Sequence, residues 1–231
     1  MIKLTWFGHA AWGIDVGGAV VLIDPFFEGN PVATVKAEDV RADYIVVTHG
    51  HGDHIGNTVD IARRTGATVI ANAEISQWLR SRGVKKVHAQ HVGGGFHYPF
   101  GYVKLTIAVH GSSLPDGSCG GMPAGVLISA EGRKVYHAGD TGLFASMQLI
   151  GDEGLDVAIL PIGDNYTMGP DDALRAVKLL RPRVVIPMHY ATWELIAQDP
   201  HAWAERVRAE TDTVPVVLPI GETYRLESDE V

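Results

Sequence analysis

The sequence of 231 residues contains a single cysteine, Cys119. One thiol excludes an internal disulfide framework and fits a reducing compartment. Long apolar runs are also missing. The longest, at 44–47 and 157–162, fall far short of the roughly 20 residues that span a bilayer. The N-terminus has no basic stretch leading into an apolar one and no small-residue cleavage site, so it does not read as a signal peptide. Positive charge is scarce, with 19 Lys and Arg against 27 Asp and Glu and a net charge of −8, which argues against nucleic-acid binding by counterion release. The 27 glycines follow no period, which removes collagen-like chains. A cytoplasmic protein with no membrane insertion and no nucleic-acid partner is expected; a homo-oligomer is left open.

What is present is an ordinary globular composition, 46% hydrophobic and 20% charged. A chain this long can bury roughly 70% of the surface that it exposes when unfolded, so no staple is needed. No linker or low-complexity segment interrupts it, and a single domain over 1–231 is expected. Eleven histidines is a high count, and their spacing matters more than their number.

The pattern predicts strands at 2–6, 11–16, 19–24 and 43–48, with Gly17-Gly18 as a hairpin turn, so that the first 48 residues read as sheet. A helix is expected at 55–64, a strand at 67–71 and a helix at 73–81 that stops at Gly83. Further strands are expected at 102–109, 124–129, 133–138, 157–161 and 183–187, with helices at 143–150, 170–181 and 202–209 and a closing strand region at 215–226. The 170–181 helix is the clearest, with Pro170 in its first turn, Asp171 and Asp172 at its positive end, and Pro182 beyond it. Gly93-Gly94-Gly95 reads as a flexible loop, since a phosphate cradle would need a following helix and lysine. Strand–helix–strand units following sheet, twice over, predict an α/β layered domain with two similar halves.

The chemistry concentrates in Thr48-His49-Gly50-His51-Gly52-Asp53-His54. Four imidazole or carboxylate ligands at H-x-H-x-D-H spacing, placed between a buried strand and a helix, form a metal-binding pattern. So short a loop suits two adjacent ions better than one. Further ligands are expected just past strand ends, where α/β folds collect functional groups, and His110, Asp140 and His189 stand there.

The order of these motifs resembles the metallo-β-lactamase superfamily. The match is closer to its branch of short metal-dependent hydrolases, through Leu4-Thr5-Trp6-Phe7-Gly8-His9-Ala10, Leu22-Ile23-Asp24-Pro25-Phe26, Tyr136-His137-Ala138-Gly139-Asp140-Thr141-Gly142, Leu160-Pro161-Ile162-Gly163-Asp164-Asn165 and Ile186-Pro187-Met188-His189-Tyr190. That branch is similar to ascorbate-6-phosphate lactonases and, more distantly, to N-acyl phosphatidylethanolamine phospholipase D. The resemblance implies a four-layer αββα sandwich with its site at the sheet edges. It implies His49, His51 and His110 on a first metal, Asp53, His54 and His189 on a second, and Asp140 bridging both. Relatives that open β-lactam rings often carry cysteine at the place of Asp140, which argues against that activity here.

Two divalent cations, zinc first and manganese or iron as alternatives, would activate water for hydrolysis of a small, anionic, ester-like substrate: a lactone or a phosphodiester. Asp53 and Asp140 are the expected catalytic carboxylates, with Asp53 also steering a proton. Asp24 is expected to hydrogen-bond the far nitrogen of a ligand histidine. His9 reads equally as facing the site or as a buried histidine, and His137 as support or core. Tyr190, Trp193, Tyr166 and Met168 are candidate pocket residues, whereas His88, His91, His97 and His201 have no ligand-like setting. The competing readings are a nucleic-acid-processing phosphodiesterase and an iron-dependent redox enzyme of the same superfamily.

Overall fold

In the computed structural model, which describes residues 1–227, β1 (Ile2–Trp6), β2 (Trp12–Val16) and β3 (Ala19–Ile23) form an antiparallel meander. The last four residues of the 1–231 span lie outside the described residues. Gly17 and Gly18, at φ 58° and 92°, make the β2–β3 turn, a backbone path that favours glycine. From β3 the first sheet continues in parallel through β4 (Tyr44–Val46), β5 (Thr68–Ala71) and β6 (Val87–Ala89).

A second sheet has the same grammar. Its antiparallel part is β7 (Gly95–Tyr98), β8 (Gly101–Ile107), β9 (Ala124–Ala130) and β10 (Arg133–His137). Its parallel part runs from β10 through β11 (Val157–Pro161) and β12 (Val184–Met188) to β13 (Val214–Pro215). The chain then crosses to the first sheet, where β14 (Thr223–Leu226) pairs with β1. The predicted closing region at 215–226 is therefore two strands in two different sheets.

Strand alternation builds the layers. Val21, Ile23 and Val46 join a core shared with Val103, Leu105, Val126 and Ile159 of the second sheet, whereas Leu22, Ile45 and Val47 join a separate core on the other face. That outer core is closed by α2 (Thr58–Thr65) and α3 (Ala73–Ser81), through Ile61, Ala62, Ile75 and Leu79. On the second sheet, α4 (Met147–Gly151), α5 (Pro170–Leu180) and α6 (Pro200–Glu210) contribute Met147, Val177 and Trp203. The result is the expected αββα sandwich. Among the described residues, no helix is long and apolar enough to cross a membrane.

Several predicted boundaries move. Residues 24–43 are loop, not sheet, because Pro25, Gly29, Asn30 and Pro31 interrupt any ladder. The predicted helix at 55–64 is split into α1 (Gly52–Ile55) and α2 at Gly56, whose backbone turns at φ 38°. Strand β8 ends at Ile107, so His110 lies on the loop beyond it. The 143–150 helix shrinks to α4, with residues 143–146 forming loop and turn ahead of it. Gly93 and Gly94 are pinned by backbone bonds to Leu105, and Gly95 opens β7 directly over the Tyr102 ring, so the glycine triplet is ordered close packing.

Candidate metal centre

Every predicted site loop leaves the same edge of the two sheets. Thr48 and His49 follow β4, His110 follows β8, Asp140 follows β10 and His189 follows β12. Gly50 lets the first loop meet the loop after β8, since a Cβ there would sit 3.2 Å from Ser113 and Leu114; its amide donates to Ser112 Oγ at 3.1 Å. The single turn α1 then swings Asp53 and His54 back toward the strand ends.

All seven predicted ligands converge. The ligand atoms of His49, His51 and His110 lie within 4.8 Å of one another, as do those of Asp53, His54 and His189, with His9 in the same group. His49 Nε2 and His51 Nδ1 are 3.0 Å apart. Asp140 stands between the groups: its Oδ2 is 3.2 Å from His54 Nε2, 3.1 Å from His189 Nε2 and 3.5 Å from His110 Nε2.

These residues fit a cation. His54 Nε2, both ring nitrogens of His189 and Asp140 Oδ1 are buried without a hydrogen-bond partner. The contacts to Asp140 are close enough for charge attraction but misaligned as hydrogen bonds. Buried polar atoms left unsatisfied are costly, and cations here would satisfy His54 Nε2, His189 Nε2 and the Asp140 carboxylate. The donors are imidazole nitrogens and carboxylate oxygens with no thiolate, a set suited to zinc, manganese or iron.

The protonation pattern follows from the packing. Burial opposes charge on Asp140, but the imidazoles of His189 and His54 outweigh it and hold the carboxyl well below the usual range. Burial likewise opposes charge on His54, yet Asp140 and Asp24 on either side raise its pKa well above the ordinary value. His49 is pushed well below the ordinary value by burial and by neighbouring His54, so it is neutral.

A supporting layer fixes the rings. Asp24 Oδ2 accepts from His54 Nδ1 at 2.8 Å and from Thr48 Oγ1 at 2.6 Å, and Thr48 Oγ1 lies 3.0 Å from His49 Nδ1. One carboxylate thus orients His54 directly and His49 through Thr48, leaving both Nε2 lone pairs aimed inward. His9 does face the site. Its Nε2 donates to Asp53 Oδ2 at 3.2 Å, its Nδ1 lies 2.9 Å from Thr192 Oγ1, and its ring centroid is 4.0 Å from that of His189. Burial lowers the His9 pKa to about 4, so the ring is neutral and donates through Nε2. His9, Asp24 and His189 all have left-handed φ, at 53°, 47° and 54°, the backbone strain that functional sites concentrate.

Other expectations shift. Tyr190 turns away from the centre: with His189 left-handed, the next side chain falls into the core, 5.4 Å from the Trp6 ring. Met168 is core, Tyr166 is exposed, and Trp193 stands edge-on to His9 at 4.9 Å. His137 is core, donating to Ala10 O at 3.2 Å and accepting from Gly139 N at 3.1 Å. Thr48 and Thr192 are the supports that the sequence reading missed. Thr48 adjoins the histidine motif, whereas Thr192 has no pattern that marks it.

Comparison with known proteins agrees with this geometry. Residues 20–190 match the family model described as the beta-lactamase superfamily domain. A UPF0173 metal-dependent hydrolase of Heliobacterium modesticaldum is 49% identical, with 98% of each chain covered. Another, from Bacillus cytotoxicus, is 48% identical over 97% of this chain and all of its own. Among solved structures, Igni18, a metallo hydrolase of Ignicoccus hospitalis, superposes with a TM-score of 0.89 at 40% identity, covering 98% of this chain and 99% of that one. With a family model spanning most of its length and relatives near half identity, this chain belongs to the beta-lactamase superfamily, in the branch of the metal-dependent hydrolases.

Proposed function

We propose that the protein is a dinuclear metal-dependent hydrolase acting on a small ester-like substrate, a lactone or a phosphodiester. One observation carries the reading: Asp140 Oδ2 lies within 3.5 Å of imidazole nitrogens from both histidine groups, a position suited to a bridging carboxylate. His49, His51 and His110 would hold one cation and Asp53, His54 and His189 the other. Such cations supply hydroxide at neutral pH and polarise the scissile carbonyl or phosphoryl oxygen.

The chain's own groups supply order and proton handling. His9 donates to Asp53 Oδ2, which lies 4.0 Å from His54 Nε2, so the bond holds this carboxylate toward the ligand histidines, where it could meet a cation or accept a proton from water. The bond from His9 and the charge of His54 overcome burial and keep Asp53 ionised well below the usual carboxylate range. The test is hydrolysis by protein loaded separately with zinc and with manganese, against activated carboxylic esters, lactones and an activated phosphodiester. Metal-dependent turnover that is lost in Asp140→Ala is expected. Turnover unaffected by that substitution, or by chelation, would refute the proposal.

A further inference from the structure

We infer that the substrate of this centre is an uncharged carboxylic ester or lactone with an apolar substituent, and not a phosphodiester or another anionic ester. The inference rests on the hydrolase reading above and narrows its substrate. It comes from what surrounds the centre. Six segments form the mouth: 24–31, 48–57, 108–123, 138–146, 162–169 and 189–199. Five carry a candidate ligand or Asp24, and 162–169 is joined to them by the bond from Met168 N to Thr141 O.

None of the 19 lysines and arginines of the chain falls in these segments. They hold five carboxylates besides Asp24, Asp53 and Asp140, namely Glu28, Asp116, Asp164, Glu194 and Asp199. The guanidinium of Arg82 reaches Asp116, at 2.9 Å, and is neutralised there. Proteins that bind phosphate or carboxylate esters supply arginine forks, lysines or free helix N-termini. Helices α1, α2 and α4 start at this edge without a side-chain cap, but α1 and α4 are only a turn or so long and α2 carries Asp60 in its first turn. The N-termini of α3, α5 and α6 are already filled. Asn72 caps α3 ahead of Glu74, Pro170 opens α5 ahead of Asp171 and Asp172, and Asp199 caps α6. Bound cations would attract the reacting oxygen of either ester class, but these segments hold no lysine or arginine to take a second negative charge.

The mouth offers apolar surface instead. Val109, Met122, Tyr166 and Leu195 are exposed, and Trp193, 39% exposed, stands edge-on to His9, the ring that donates to Asp53. Exposed apolar side chains gathered around a polar centre mark a ligand surface. The reaction is then plain ester hydrolysis: water adds to the acyl carbon, the acyl–oxygen bond breaks, and a carboxylate, an alcohol and a proton leave.

The test uses three substrates with one leaving group on the metal-loaded protein: p-nitrophenyl butyrate, mono-p-nitrophenyl glutarate and bis(p-nitrophenyl) phosphate. We expect kcat/KM for the butyrate to exceed that for either anion by about tenfold or more, and its lead over the glutarate to shrink as added salt screens the mouth. Trp193→Arg should narrow the same ratio. A second readout is independent of turnover: quenching of tryptophan fluorescence by butyranilide and by its carboxylate-bearing counterpart glutaranilic acid, in metal-free and metal-loaded protein, with Trp193→Phe as the blank. Tighter binding of the neutral amide is expected. Equal or better turnover of an anion, equal or tighter binding of the carboxylate, or no binding of the neutral amide would overturn the inference. Absence of metal-dependent turnover on all three esters would instead overturn the hydrolase reading, while the binding experiment still decides the charge preference.

Discussion

Asp24 accepts a hydrogen bond from Nδ1 of His54 at 2.8 Å, and both side chains are wholly buried. This pair joins the sheet to the metal centre. Asp24 directly follows β3 at a left-handed φ of 47°, while His54 rides on α1, 30 residues later. The same oxygen takes the Thr48 hydroxyl, and the Thr48 amide donates to the other carboxylate oxygen at 2.8 Å. Three loop positions are therefore set by one carboxylate.

Asp24→Asn should lower metal affinity by about 10- to 100-fold, the usual cost of losing such a supporting group, with folding retained. Asparagine tolerates the left-handed backbone, so the change tests the charge and the acceptor rather than the turn. Competition with a fluorescent chelator measures it. Unchanged affinity would mean that the packing around His54 and His49 is enough to orient them.

Gly56→Ala should destabilise the fold by about 2 kcal/mol or more. The residue sits at φ 38°, and a Cβ there would lie 2.5 Å from Pro25 O and 2.7 Å from Phe26 Cα. The strain would be relieved by moving α1, which carries Asp53 and His54. Metal affinity should therefore fall along with Tm, whereas Gly18→Ala, where the glycine has open space, should leave metal affinity alone.

How much of this was legible follows from where side chains meet. The ligand cluster at 49–54 is local, so spacing alone exposes it, and strand ends single out His110, Asp140 and His189. The break at Gly56 was hidden because its cause lies in another loop: the Pro25–Phe26 backbone presses on Gly56, and Pro25 O takes the Asn57 amide. Strands β6 and β7 were hidden because they are short edges with little burial, so hydrophobic alternation does not mark them. His9 and Thr192 are 183 residues apart, and their contact exists only once the two sheets are stacked.

His137 gives a pH prediction. Burial lowers its pKa from 6.5 to about 4, against the smaller raising effects of Asp24 and of its bond to Ala10 O. The unfolded chain therefore takes up a proton between those values that the folded chain refuses. The stabilising effect is complete above pH 6.5 and is lost as pH falls from 6.5 toward 4, by about 3 kcal/mol in all. Glutamine can accept from Gly139 and donate to Ala10 without titrating. The metal-free His137→Gln protein should accordingly lose less stability than the parent across that interval in denaturant titrations. Parallel pH profiles would show that His137 contributes nothing to acid sensitivity.

Thr192 holds the ring of His9 in place, and through it the aim of Asp53. With Asp53 ionised, His9 Nε2 must carry the proton it donates, so His9 Nδ1 is left as an acceptor for the Thr192 hydroxyl. Thr192→Val removes that donor at almost constant volume, so the ring loses the bond that fixes its rotation. A less firmly held ring makes a poorer bond from Nε2 to Asp53 Oδ2, 3.2 Å away here, and Asp53 is aimed less precisely. We expect kcat to fall by about tenfold with little change in KM, because the substrate surface at Trp193 is untouched. Thr192→Ser keeps the hydroxyl and should restore the rate, which separates a positioning role from simple packing. Equal kcat in the valine and serine variants would show that the hydroxyl orients nothing. A loss confined to KM would place Thr192 in substrate binding instead.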